Sequence, residues 1–206
     1  WSFTLLSAEE QQVFRQLTVF SGGWTLAAAE HVCAGAAQDL MLLLASLVEK
    51  SLVVVDRHHD ETRYHCLETV RQYGAQLLAE AGATGPLRSR HLDFFTHWAE
   101  HADSQLSGPH QSAWLERFNL EHDNLRYALD WSLVAESSAK QGLRLAAACG
   151  FFWKIRGYLT EGLARLLAAL EHCTDCEPAI IRARALHRAG NIAYLKSDYP
   201  LTRTLL

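Results

Sequence analysis

Three clusters of side chains in this sequence have spacings that chemistry uses. His97-Trp-Ala-Glu-His101 places two imidazoles four residues apart, on one face of a helix, with a carboxylate between them. That is the H-x-x-E-H pattern of inverted zinc proteases, and Asp93 lies one turn earlier. The same positions form the face opposite Leu92, Phe95, Ala99 and Ala102, as a solvated helix face does. The sequence therefore favours that arrangement over a zinc hydrolase built on His97, Glu100 and His101. Cys173-x-x-Cys176, with His172 before it and His187 after, has the first half of a zinc-ligand spacing. A lone C-x-x-C is weak evidence for a metal, and a loop between two helices is the reading preferred here. Asp123-Asn124-Leu125-Arg126 is the most distinctive polar cluster. Asp123 or Asn119 is expected to cap the helix carrying Leu125, Leu129 and Trp131, with Arg126 paired to an acidic neighbour. No catalytic, cofactor-binding or metal-binding residue is assigned.

The elements that position these groups are mostly helical, with four prolines in 206 residues and long stretches of 3.6-residue period. Ser7-Ala-Glu-Glu10 is a capping box. The helix behind it turns Val13, Phe14 and Leu17 inward and ends near Phe20, where Ser21-Gly22-Gly23 breaks it. Thr25 caps a second helix reaching about Cys33, and Asp39 a third reaching about Lys50. The period then changes. Leu52–Val55 and Arg63–Leu67 are expected strands, and residues 57–62 between them a polar hairpin tip. Val70, Tyr73, Leu77, Leu78 and Ala81 next share a helical face, which Gly82 ends. Three helices followed by a hairpin is the order of a winged-helix domain, placed at 1–82.

Ala83-Thr-Gly-Pro86 is the clearest expected linker. A helical connector over 87–136 follows, with Leu92, Phe95, Ala99, Ala102 and Leu106 on one stripe, then two helices at about 111–119 and 121–136. Over 137–206, Gly150, Trp153, Gly157, Leu159 and Gly162 precede Gly190, Ala193, Ser197, Tyr199 and Thr202 by 40 positions. Small residues at matching points of a helix–turn–helix suit truncated TPR-like repeats. The fold class is mainly α, a winged-helix domain with a small β-hairpin followed by α-helical repeats. The last residues fall inside an expected helix, which points to a fragment.

Composition narrows the function classes. The chain is 49% hydrophobic and 20% charged, with a formal net charge of −4. A non-specific nucleic-acid binder draws its affinity from neutralised phosphates, which this balance disfavours. No apolar stretch approaches the roughly 18 residues of a membrane span, and the start carries no basic signal-peptide region. Five cysteines in mostly apolar helical surroundings suit buried thiols and the cytoplasm better than a disulfide framework.

Several strings occur together and in order: Leu17-Thr-Val-Phe-Ser-Gly-Gly-Trp24, Leu44-Ala-Ser-Leu-Val-Glu-Lys-Ser-Leu52, and Arg63-Tyr-His-Cys-Leu-Glu-Thr-Val-Arg-Gln-Tyr73. Arg90-His91, Glu121-His-Asp-Asn-Leu-Arg126 with Trp131, and Gly157-Tyr-Leu-Thr-Glu-Gly162 follow. Over nearly its whole length the chain resembles the middle of bacterial STAND-type signal-transduction ATPases. These include the large ATP-binding LuxR-type regulators and the streptomycete antibiotic regulators. The resemblance implies an upstream P-loop ATPase module that binds ATP or ADP, tetratricopeptide repeats downstream, and a separate DNA-binding effector domain. This chain has no G-x-x-x-x-G-K-S/T, so a nucleotide is expected upstream only. The related NB-ARC ATPases carry a hydrophobic-His-Asp motif that meets ADP. Here Cys66-Leu67-Glu68 stands in its place, with Leu67 where the imidazole would be. His65 is near, but strand alternation points it away from Tyr64 and Cys66.

A base-reading helix needs Arg, Lys, Asn or Gln. The third helix, Asp39–Lys50, holds Leu42, Leu43 and Leu44 and one terminal cation, so it is expected to pack against protein. At the hairpin tip, Arg57, His58 and His59 are offset by Asp56, Asp60 and Glu61. The sequence thus reads as a non-catalytic regulatory segment of a cytoplasmic transcription regulator. It would couple an upstream ATPase to signal-sensing repeats, with a protein or small-molecule inducer on those repeats. Phe151, Phe152 and Trp153 would line such an inducer surface if they are not repeat core. The alternative is a free-standing winged-helix DNA-binding protein.

Overall fold

Ser7 opens the first helix, α1 (Ala8–Leu17), through the reciprocal pair its spacing with Glu10 predicts. Ser7 Oγ accepts the Glu10 amide at 3.2 Å, and Glu10 Oε2 accepts the Ser7 amide at 2.7 Å. The structure is a computed structural model that describes residues 2–33, 39–58, 61–174 and 178–206. It divides into two units, Trp1–Phe94 and Phe95–Leu206.

In the first unit, α1 buries Val13, Phe14 and Leu17. After a turn at Gly22 and Gly23 the chain forms a two-residue strand, β1 (Trp24–Thr25), and Thr25 Oγ1 caps α2 (Leu26–Val32) by accepting the Ala28 amide at 3.2 Å. The third helix, α3 (Leu40–Glu49), starts without a side-chain cap from Asp39, contrary to the expectation. Its other end is tied to α1, because Glu10 Oε1 accepts from Ser46 Oγ and Lys50 Nζ, each at 2.5 Å. Strands β2 (Val54–His58) and β3 (Glu61–His65) pair antiparallel, Val54 opposite His65 and His58 opposite Glu61. β1 joins the free edge of β3, giving the order β1-β3-β2.

The ladder lies nearer the hairpin tip than the sequence suggests, for two reasons. The amides of Leu52 and Val53 bond back to Leu47 O at 3.0 and 3.3 Å, so these residues end α3. Leu67 is the N-cap of α4 (Glu68–Glu80). On α4 the buried positions are Gly74 and Leu78, and Val70, Tyr73, Leu77 and Ala81 are half-buried or exposed. α4 meets α1 through its glycine: a Cβ there would stand 2.8 Å from the Phe14 ring.

The expected linker is absent as such. The chain turns only at Ala81-Gly82-Ala83, and Thr84-Gly-Pro86 is the first turn of α5 (Thr84–Gln105). A proline there loses nothing, since first-turn amides have no intrahelical acceptor. The unit boundary falls inside this helix.

In the second unit Phe95, Ala99, Ala102 and Leu106 are fully buried, as their spacing requires. The two helices expected over 111–136 are one, α6 (Gln111–Ser132). No glycine or proline interrupts it, and Asn124 Nδ2 donates to Glu121 Oε2 at 2.7 Å within the helix. Asp123 and Asn119 are therefore mid-helix residues that cap nothing. Two helical hairpins follow: α7 (Ala139–Arg156) with α8 (Leu159–His172), and α9 (Ala179–Leu195) with α10 (Tyr199–Leu205). Each helix of the second pair starts 40 residues after its counterpart. The bends correspond as well, Gly157 at φ 78° and Ser197 at φ 61°. In the core Phe118 stacks on Phe152 at 4.9 Å between ring centroids and meets Trp98 edge to face at 5.1 Å. Cys33, Cys66 and Cys149 are free, as expected of buried thiols, but Cys173 is disulfide-bonded. Among the described residues no helix is long and apolar enough to cross a membrane.

Two outcomes follow. Hydrogen bonds from Lys50 and Ser46, then from the Ser7 amide, hold the Glu10 carboxyl at about 2 against an ordinary 4.5. Its stabilisation is therefore complete above pH 4.5 and is lost as the pH falls towards 2. Urea unfolding of Glu10→Ala at pH 7 should show a loss of about 2 kcal/mol, and the difference from the parent should shrink at pH 3. Ser197→Gly removes a left-handed strain and should raise stability by about 0.5–1 kcal/mol in the same assay.

Candidate functional site

The functional surface of a winged helix is its third helix and its wing. Leu44 and Leu47 anchor α3 in the core, which turns Met41, Leu42, Ala45 and Glu49 outward. Met41 is 61% and Leu42 66% exposed, so the outer face is apolar and ends in a carboxylate. Within this unit only the inner face of α3 is covered. The cation nearest to the outer face, Lys50, is committed to Glu10. On the wing Arg57 is exposed, and His59 and Asp60 lie outside the described residues. Residues 1–94 hold 7 Lys/Arg against 11 Asp/Glu, so the whole formal charge of −4 resides in this unit.

Behind the wing lies a cleft of about 330 Å³ whose walls include Gly22, Gly23, His65, Cys66, Glu68 and Arg71. Gly23 makes it possible: at φ 108° it approaches β3 so closely that a Cβ would stand 2.9 Å from Tyr64 O. His65 and Cys66 line the same cleft, against the alternation argument, because β3 ends at His65 and Cys66 already belongs to the turn into α4. Leu67, in the place of the expected imidazole, is 54% exposed and is not among the lining residues. The charges in the cleft are paired. Arg71 donates to both Glu68 oxygens at 2.8 Å, and His65 Nδ1 lies 3.2 Å from Asp56 Oδ2. The Arg71 guanidinium holds the Glu68 carboxyl at about 2. Burial pushes the Cys66 thiol up to about 12, which leaves it protonated and a poor nucleophile. The cleft has polar walls and no excess positive charge for a phosphate. Its only advance signal in the sequence is the glycine pair.

The other candidates are occupied by structure. Glu100 receives Arg144 through both oxygens, at 2.8 and 2.6 Å, while His97 and His101 are exposed and the His101 ring lies 5.3 Å from Trp114. A general base held this way by a guanidinium is unsuited to metal-assisted hydrolysis. No group of three or more metal-binding side chains converges among the described residues. Cys176 of the C-x-x-C pair lies outside them. Arg126 pairs with an acid, as expected, but mainly across 35 positions: it donates to Glu161 of α8 at 2.6 and 2.5 Å, with Asp123 at 3.4 Å. Sequence spacing cannot reveal so distant a partner. Arg126 and Arg165 together hold the Glu161 carboxyl at about 2. Phe152 and Trp153 are buried core, leaving only the half-buried Phe151, under Arg188, of the three expected at an inducer surface.

Comparison with known proteins bears on the first unit and then on nearly the whole chain. Residues 6–79 match the winged helix-turn-helix domain family. The chain is 38% identical over 192 residues to proteins of Mycobacterium tuberculosis (strain ATCC 25618 / H37Rv) and Mycobacterium bovis (strain ATCC BAA-935 / AF2122/97). Each bears the name "Putative HTH-type transcriptional regulator". The alignment covers 90% of this chain and 21% of each relative, so the chain spans about a fifth of their length. An uncharacterized protein of M. tuberculosis is 34% identical over 95 residues, 44% of this chain and 24% of that protein. No solved structure matches the chain.

The paired cleft yields a chemical outcome. Iodoacetamide at pH 7.5 should leave Cys66 and Cys33 unmodified in the folded protein, since both thiols stand near 12. Mass spectrometry should find both alkylated once urea is added.

Proposed function

We propose that this chain is the winged-helix and helical segment of a transcription regulator that acts without covalent chemistry of its own. The observation that carries the proposal is the winged helix-turn-helix match over residues 6–79, set within similarity to proteins named as HTH-type regulators. These findings favour DNA contact, so a DNA-binding role is the first reading. α3 presents Met41, Leu42 and Ala45 in place of base-reading donors, and the contact in this reading is then wing to phosphate, through Arg57.

A second reading is favoured by that same apolar face and by the −4 charge of residues 1–94. In it the winged helix is a protein-contact module within a cytoplasmic, multidomain STAND-type regulator. It links an upstream ATPase, the part that would hold ATP or ADP, to TPR-like repeats that receive a signal. DNA is then bound by a separate effector domain. The boundaries 1–82, 87–136 and 137–206 belong to this reading, with α7 to α10 as the first repeats.

One titration separates the two. Fluorescence anisotropy with a labelled 30-base-pair duplex, at 25 to 200 mM salt, reads the phosphate contacts directly. In the first reading log K falls linearly with log salt, and Arg57→Ala flattens the slope by about 1. Absence of binding at 25 mM salt removes that reading and leaves the second.

A further inference from the structure

Both α6 and α8 pack on α7, and two ion pairs join them directly. Arg126 of α6 grips Glu161 of α8, and Arg165 of α8 reaches Asp130 of α6 at 2.9 Å. Beside this clamp the helices face each other with mismatched sizes. α6 presents Leu129 and Leu133, while α8 answers with Ala164 and Ala168 and leaves a groove of about 160 Å³. An aliphatic cavity of about 150 Å³ engineered into another protein stays dry and takes up benzene.

We propose that this groove is a binding site for a small uncharged apolar molecule, of the size of one ring or a fused pair. Size follows from the volume. Charge follows from the polar groups at the walls, which are already spent. Ser132 Oγ donates to Leu129 O in its own helix at 2.7 Å, and the Arg165 guanidinium is balanced by Asp130 and Glu161. An anion therefore gains nothing there, whereas a ring gains apolar contact with the four aliphatic residues. The site lies in the helical unit and its occupancy does not depend on DNA contact. If the chain regulates transcription, the groove is where a small apolar effector would enter.

The test uses the whole 206-residue chain with its leucine methyl groups labelled for NMR. Benzene and indole should shift the Leu129 and Leu133 methyl signals saturably, with dissociation constants in the millimolar range or tighter. Benzoate should bind at least about tenfold more weakly. Ala168→Leu fills the groove and Leu133→Gln makes one wall polar. Each should weaken benzene at least about tenfold while the other methyl signals keep their positions. The second variant, at a 38% exposed position, serves if the first does not fold. No saturable shift at these methyls overturns the proposal, as does benzene binding that both variants retain. Equal binding of benzoate would assign the site to charge. Broadening of the same methyls with protein concentration would assign the groove to a second copy of the chain.

Discussion

One carboxylate, that of Glu10, governs how the winged helix is assembled. It closes the capping box of α1 with one oxygen and takes Ser46 and Lys50 of α3 with the other. A charge buried to 7% exposure is tolerable only because every direction from it meets a donor. The same bonds fix the angle between the two helices whose inner faces form the core. Lys50 is held at the exit of α3, and Leu52 and Val53 turn there into the wing. The orientation of α3, and so which of its residues face solvent, follows from this contact. Val13, Phe14, Leu17, Leu44 and Leu47 then fill the space it defines.

In the helical unit charged groups again join helices, at depths from the buried Asp103 to the half-buried Glu100 and Glu161. Asp103 of α5 receives both Arg184 and Arg188 of α9, Glu100 receives Arg144 of α7, and Glu161 receives Arg126 and Arg165. These pairs fix register. Helices rich in alanine slide easily past one another, and a bidentate guanidinium–carboxylate contact admits one alignment. The groove between α6 and α8 is the by-product of such a contact. The ion pairs set a spacing that the alanines of α8 do not fill.

What the sequence made legible was local or periodic. Ser7 with Glu10, Thr25 before its helix, the stripe from Leu92 to Leu106 and the 40-residue offset of the hairpins are all present in the structure. The offset extends to the matching left-handed bends at Gly157 and Ser197. What escaped depended on distance in the chain. β1 is two residues long, too short for any period, and exists because Gly23 lets the backbone lie against β3. The ends of β2 and β3 were set by α3 and α4, which claimed Leu52, Val53 and Leu67. Thr84-Gly-Pro86 has the composition of a linker and the position of a helix start. Among site residues, Glu100 illustrates the limit: motif spacing suggests a base, and a residue 44 positions away decides otherwise.

The middle helix of the second unit has a consequence for how that unit is built. From Leu145 to Gly150 every residue of α7 is buried, and α6, α8 and α9 pack around it. A helix buried on all sides has no amphipathic face with which to persist alone in water. α7 is therefore stable only when its neighbours are in place, and they lose their common support when it unravels. Opening of the unit is in consequence collective: partial unfolding that exposes α7 exposes the whole core. Insertion or deletion of one residue in that stretch turns the remainder by about 100°, presenting alanines where leucines are needed. The length of α7 is therefore held fixed by its packing.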